Sequence, residues 1–227
     1  MRILLLALVA ALAAGCSDLA GPDGADTGTD PAPQTARYQV RFESRWAAST
    51  HPIDFPSDAH FSRLVGANHN GSVAFWRNGQ LATPGIRAMA ERGRVTPLDT
   101  EVMSAITAGT AEALFTGPAL DQSPDAVSME VTASQRFPLL TLVTMVAPSP
   151  DWFVGVTGQP LFENGQWVAE RRVDLEAWDA GTDSGQSFSS PDQVTTPFVS
   201  ITRIVTAPLS PDGRVTAIGS FVFTRLP

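Results

Sequence analysis

The sequence predicts a mainly β fold, an antiparallel β-sandwich with a small helical insertion, on three observations. Tyr38, Val40 and Phe42 alternate with Gln39, Arg41 and Glu43, and Val127, Met129 and Val131 alternate with Ser128, Glu130 and Thr132. A period of two marks a strand with one face in a core and the other in water. Phe137 to Val146 is apolar on both faces, as a central strand covered on two sides should be. Pro- and Gly-rich turns separate these and further strand candidates, the punctuation of an antiparallel sandwich.

The 227 residues, 43% of them hydrophobic, suffice for one substantial core. A formal charge of −8 without any run of basic residues argues against nucleic acid, whose phosphates require clustered Lys and Arg. The chain opens on Arg2 and an apolar run from Ile3 to Ala14, too short to span a bilayer comfortably. Ala13-Ala14-Gly15 follows, and then Cys16, the only cysteine. This resembles the signal sequence of bacterial lipoproteins, cleaved before a cysteine that is then lipidated, with Ala13 in place of the usual Leu. Residues 1–16 are therefore expected to be the signal, and Cys16 the membrane anchor of an otherwise water-soluble protein without disulfides. Ser17 to Thr35 is rich in Gly, Pro, Asp, Thr and Ala without apolar periodicity. It reads as part of a disordered tether over 17–36, with the domain over 37–227.

In order, the domain starts on the strand at Tyr38 and passes through a loop-rich stretch from Trp46 to Asn70. Ser72 to Trp76 reads as a short strand closed by a turn at Asn78-Gly79. Two helices follow, Pro84–Arg92 before Gly93 and Pro97–Ala108 before Gly109, the second with Thr96 as expected N-cap and Leu98, Val102, Ala105 and Ile106 as its apolar stripe. After the helices come the strands at Val127 and Phe137 described above, and Gly165–Val173, Phe198–Ala207 and Arg214–Thr224 are further strand candidates.

Chemistry concentrates in Trp178-Asp179-Ala180-Gly181-Thr182-Asp183-Ser184-Gly185, a turn-prone segment rich in hard oxygen donors of the kind calcium takes. The spacing is not that of an EF-hand, since Ser190 stands where the bidentate Glu belongs. Read alone, the loop is equally a turn whose aspartates accept their own backbone N–H groups. Asp183-Ser184-Gly185 is also an aspartic-protease type of triplet, without a second copy in the chain to share the proton. His51, His60 and His69 lie nine apart, a spacing that suits no common zinc pattern. Gly-x-Ser-x-Gly, P-loop and His-Glu-x-x-His motifs are absent.

A longer series of segments resembles the spondin N-terminal domain family. It comprises Tyr38 to Trp46, His51-Pro52 with Phe55-Pro56, Leu64 to Ala67 with His69-Asn70, Trp76 with Gly79, and Ala88 to Gly93. Ser149-Pro150-Asp151-Trp152-Phe153-Val154-Gly155 and Trp178 to Gly185 complete it. The resemblance implies a sandwich related to C2 domains. It also implies a calcium (Ca2+) site built from Asp151, Asp179 and Asp183, whereas the cysteines of the animal members have no counterpart here. The expected protein is a calcium-binding, extracytoplasmic lipoprotein, anchored through Cys16 to a bacterial membrane (the outer membrane) or the cell surface. There it would serve as a binding or adhesion module for an extracellular protein or polysaccharide, with no catalytic residue assigned. The alternative is a hydrolytic enzyme whose site joins the His51–Asn70 loops to the acidic loop.

Overall fold

The computed structural model describes residues 32–227; the signal, Cys16 and most of the expected tether lie outside the described residues. The first strand, β1 (Thr35–Ser44), buries every second residue, among them Tyr38, Val40 and Phe42. Ahead of it the Pro33 carbonyl already accepts a hydrogen bond from the Trp167 indole (2.7 Å). Short β2 (His60–Phe61) and β3 (Val65–His69) follow, both within the stretch read as loops. The expected strand at Ser72–Trp76 does not form. That segment is irregular and folds Phe75 and Trp76 into a core, where burial rather than sheet pairing positions it.

Helix α1 (Pro84–Arg92) has the expected bounds. Thr83 caps it, its hydroxyl accepting from Ile86 N (3.2 Å), and Gly93 ends it at φ 61°, in the left-handed region that a Cβ disfavours. The Thr83 hydroxyl also donates to Glu101 (2.7 Å), so the cap joins the two helices. Thr83→Ala is expected to cost about 1 kcal/mol, read as a lower denaturant midpoint at unchanged slope. Helix α2 (Leu98–Thr107) begins after Pro97, which caps it without a side-chain bond; the Thr96 hydroxyl instead donates to Asp99 (2.7 Å). Its stripe is buried at Leu98, Val102 and Ala105, with Ile106 partly buried against the same cluster.

The chain then runs as β4 (Ala111–Thr116), β5 (Ala126–Ser134), β6 (Leu139–Ala147), β7 (Trp152–Pro160), β8 (Phe162–Glu163), β9 (Gln166–Trp167), β10 (Glu170–Leu175), β11 (Trp178–Asp179), β12 (Thr202–Arg203) and β13 (Gly219–Arg225). Three expectations are trimmed here. Gly165–Val173 is split between β9 and β10, Phe198–Ala207 retains only β12, and the last strand starts at Gly219 rather than Arg214.

Two antiparallel sheets make the sandwich. The smaller has the order β10-β13-β1-β5, and the larger β12-β11-β7-β6-β3-β4, with β2 added beside β6. Between them lies a core of Tyr38, Val40, Phe42, Phe221 and Phe223 from one side and Leu140, Leu142, Val146, Trp152 and Val154 from the other. Phe42 meets Phe61 edge-on across this layer, ring centres 4.9 Å apart. The Tyr38 hydroxyl crosses the core to donate within reach of the Leu161 (3.0 Å) and Val168 (2.7 Å) carbonyls, and burial pushes its pKa up to about 12.

The helices cover the outer face of the larger sheet. Ile86, Met89, Leu98 and Val102 pack on Val65, Val143, Met145 and Phe153. Strand β6 therefore sends Leu140, Leu142 and Val146 into one core and Val143, Met145 and Ala147 into the other, which explains its unbroken apolar sequence.

Candidate metal centre

The loop singled out from the sequence sits at one end of the larger sheet. β11 pairs with the start of β7, Asp179 opposite Trp152, which brings Asp151 next to the loop. Ala180 N–H donates to the Asp151 carbonyl (3.1 Å), and Gly181 then turns at φ 75°. A Cβ at Gly181 would also collide with the Val199 carbonyl, so glycine is required twice over.

The Asp151 carboxylate is fully buried. Its Oδ2 accepts from Thr182 N (2.7 Å), Thr182 Oγ1 (3.2 Å) and Asp183 N (3.0 Å). Its Oδ1 is buried without any hydrogen-bond partner. Leaving a buried carboxylate oxygen without a partner is costly, and native proteins seldom tolerate it without a compensating group.

Asp179 Oδ1 accepts from Gly181 N (2.7 Å), while Asp183 accepts from Gly185 N (2.8 Å) through Oδ1 and from Gln193 N (2.8 Å) through Oδ2. The turn reading of the loop is thus correct as local geometry: both aspartates hold backbone N–H groups of their own segment. Asp183 is bound into the loop on both oxygens, which leaves the protease triplet no free carboxylate.

Electrostatics distinguish this loop from an ordinary turn. Burial, reinforced by the negative charge of Asp179, pushes the pKa of Asp151 up to about 6 despite the three donors on Oδ2. Asp179 is raised as well, by burial first and with a contribution from Asp183, against hydrogen bonds from Gly181 and Trp152. Among the described residues no arginine forms an ion pair with Asp151, Asp179 or Asp183; Arg203, nearby, pairs with Glu176 (3.2 Å). Three neighbouring carboxylates are therefore in no ion pair, although Arg203 shares a cavity with Asp179 and Asp183, and Arg87 and Arg92 share another with Asp183. Also among the described residues, no group of three or more His, Cys, Asp or Glu side chains is gathered closely enough to hold a metal ion as it stands.

Over the loop lies an open cavity of about 550 Å³ with Trp152, Asp179, Asp183, Arg203 and Val205 in its wall. The histidines lie elsewhere. His69 is locked in the fold, Nδ1 on the Asn70 carbonyl (2.8 Å) and Nε2 on the Thr141 hydroxyl (2.8 Å), with burial lowering its pKa. His51 lies against Thr50 (2.9 Å), and burial lowers its pKa too. His60 faces a separate hollow with Asp58 and Asp121. The two cavities lined by Asp183 contain no histidine. The geometry of the alternative hydrolytic site is therefore not assembled in them.

Sequence reasoning missed Phe188 in this region. Its ring packs between Trp46 (5.3 Å) and Trp152 (5.4 Å), pinning the chain after the acidic loop to the main core. A single Phe in a polar stretch carries no periodic signal, so only the folded chain reveals it.

A β-sandwich with helices on one outer face and a carboxylate-bearing loop at its edge is the class these features define. The family model described as Spondin_N matches residues 36–214. The chain belongs to this family. It is 34% identical over 195 residues to human (Homo sapiens) spondin-2, covering 84% of this chain and 57% of that protein. To rat (Rattus norvegicus) spondin-1 it is 31% identical over 205 residues, covering 85% of this chain and 25% of the relative. The chain thus spans little more than half the length of the spondin-2 relative and a quarter of spondin-1.

Proposed function

We propose that the protein is a calcium-binding adhesion-type module, held at the outside of a bacterial membrane by a lipid on Cys16. Its ligand would be an extracellular protein or polysaccharide. Membership of the spondin family supports the adhesion part of this reading. No helix among the described residues is long and apolar enough to cross a membrane; in this reading the lipid on Cys16 is the anchor.

One observation carries the calcium part: the buried, unpartnered Oδ1 of Asp151 beside two further carboxylates that are in no ion pair among the described residues. Asp151, Asp179 and Asp183 supply hard oxygen donors, the chemistry calcium favours over softer metals. A bound cation would neutralise the repulsion among them. The residues of this chain do the positioning: Thr182 and Asp183 N–H groups orient Asp151, Gly181 turns the loop, and Phe188 holds its exit.

Extracellular calcium sites have dissociation constants down to about 10⁻⁴ M. At about 1 mM calcium, binding at that affinity stabilises the fold by about 1.4 kcal/mol. For a domain of this size that raises the melting temperature by about 3–6 °C. Thermal unfolding in calcium against EDTA measures it, and Asp179→Asn should abolish most of the difference. Equal melting curves in both buffers for the parent chain would rule the site out.

A further inference from the structure

The polar side of α1 forms a second surface that the calcium reading does not use. Ile86, Met89 and Ala90 face the core, so residues three and four apart on the opposite side, Pro84, Arg87, Ala88 and Glu91, face outward. With Phe198 as the facing wall they enclose a groove of about 320 Å³. Phe198 is 38% exposed, and the Arg87 guanidinium stacks on its ring at 4.7 Å while pairing with Glu91 (2.8 Å).

Arg92 and Arg94 close the groove at the end of the helix. The Gly93 cap, whose N–H donates to the Met89 carbonyl (2.9 Å) with Arg94 N–H on Ala88 (3.2 Å), fixes how the chain leaves the helix between them. Neither arginine is in an ion pair among the described residues, although the chain carries a formal charge of −8. Most other arginines of the smaller sheet and of β12 are neutralised by Glu or Asp. Two guanidinium groups outside any ion pair thus stand beside an exposed aromatic ring.

We propose that this groove seats a short acidic peptide segment of a partner protein, an apolar side chain resting on Ala88 and Phe198 and carboxylates meeting Arg92 and Arg94. Charge complementarity selects the acidic partner. Ala82, Pro84 and Ala88 make its wall apolar between the charged groups, and the concave shape suits one inserted side chain better than a bilayer. Leu81 (60% exposed) and Val199 (53%) lie on the segments that flank the groove and extend the apolar contact. The groove needs no metal ion, and it gives the adhesion module a ligand class.

The test is a fluorescence-anisotropy titration of the chain with three labelled probes. These are a peptide of alternating glutamate and leucine, the same peptide with lysine for glutamate, and one with serine for leucine. Phosphatidylcholine–phosphatidylglycerol vesicles are titrated alongside, and every titration is run in calcium and in EDTA, which separates failure of the groove from failure of the metal site. The acidic, apolar peptide should bind in both buffers. Its affinity should fall about tenfold or more in Arg92→Ala/Arg94→Ala and in Phe198→Ala, the loss expected of central contact residues. Arg136→Ala, on another part of the surface, should leave it unchanged. Equal binding of all three peptides, indifference to the groove substitutions, or capture by vesicles alone would overturn the proposal.

Discussion

In EDTA, the buried carboxylate of Asp151 is expected to cost the fold about 3 kcal/mol between about pH 4 and pH 7, and calcium is expected to recover part of that loss. The sign follows from the direction of the shift. The folded pKa is about 6, above the unfolded value of about 3.9. A group raised on folding contributes stability that is fully present below its unfolded pKa and is lost as pH rises through the folded one. Two pKa units correspond to about 3 kcal/mol. Because Asp151 and Asp179 interact, the transition belongs to the pair and should be broader than that of one group.

Other carboxylates respond in the opposite sense. Glu43 and Glu163 are lowered, chiefly by hydrogen bonds from Arg41 and Arg171, and lose their contribution as pH falls. The Asp151 component is therefore read as the difference between the parent and Asp151→Asn, from urea unfolding at several pH values. The difference should change across pH 4 to 7 in EDTA and flatten in calcium, because a bound cation keeps Asp151 ionised at little cost. A difference that is independent of pH in EDTA would remove the electrostatic basis of the site.

Trp46→Ala is expected to destabilise the domain by about 3–4 kcal/mol and to weaken the calcium response with it. Trp46 is fully buried where β1 leaves the sheet, against Phe55 (5.4 Å), Phe61 (5.7 Å) and Phe188 (5.3 Å). Removing a buried Trp costs about 3–5 kcal/mol through lost transfer energy and the cavity left behind. The lower part of that range applies, because the Trp46 indole N–H is buried without an acceptor and its removal relieves a penalty. Phe188 then loses one of its two aromatic walls, which frees the exit of the acidic loop. The measurement is a denaturant midpoint together with the melting shift between calcium and EDTA. A full calcium shift in a Trp46→Ala chain that still folds would show that Phe188 does not hold the loop.

The legible parts of this protein are those whose environment is one-sided or locally punctuated. Strand β1 repeats buried and exposed residues from Ala36 onward, and its alternation in the sequence is the same fact. Helix α1 carries its own start and stop in Thr83 and Gly93. Strand β3, by contrast, is Val-Gly-Ala-Asn-His, buried throughout between a sheet neighbour on each side and a core on each face. Small and polar residues fit there because β6 and the helices press close, and nothing local announces it. Ser72–Trp76 is the converse case, apolar enough for a strand but drawn into the core beside the helices without a pairing partner.

The acidic loop divides along the same line. Asp179-Ala180-Gly181-Thr182-Asp183 determined by itself that this segment would turn and that its carboxylates would hold its own N–H groups, since those bonds span only two residues. Residue-by-residue resemblance pointed to Asp151 as their companion. Only the tertiary structure decided that Asp151 would be buried, with one oxygen lacking a protein partner and another negative charge nearby, because burial and the pairing of β11 with β7 are properties of the folded sheet. A sequence sets which donors exist and how they bond to near neighbours. Desolvation, which raises the pKa of Asp151, is a property of everything packed around it.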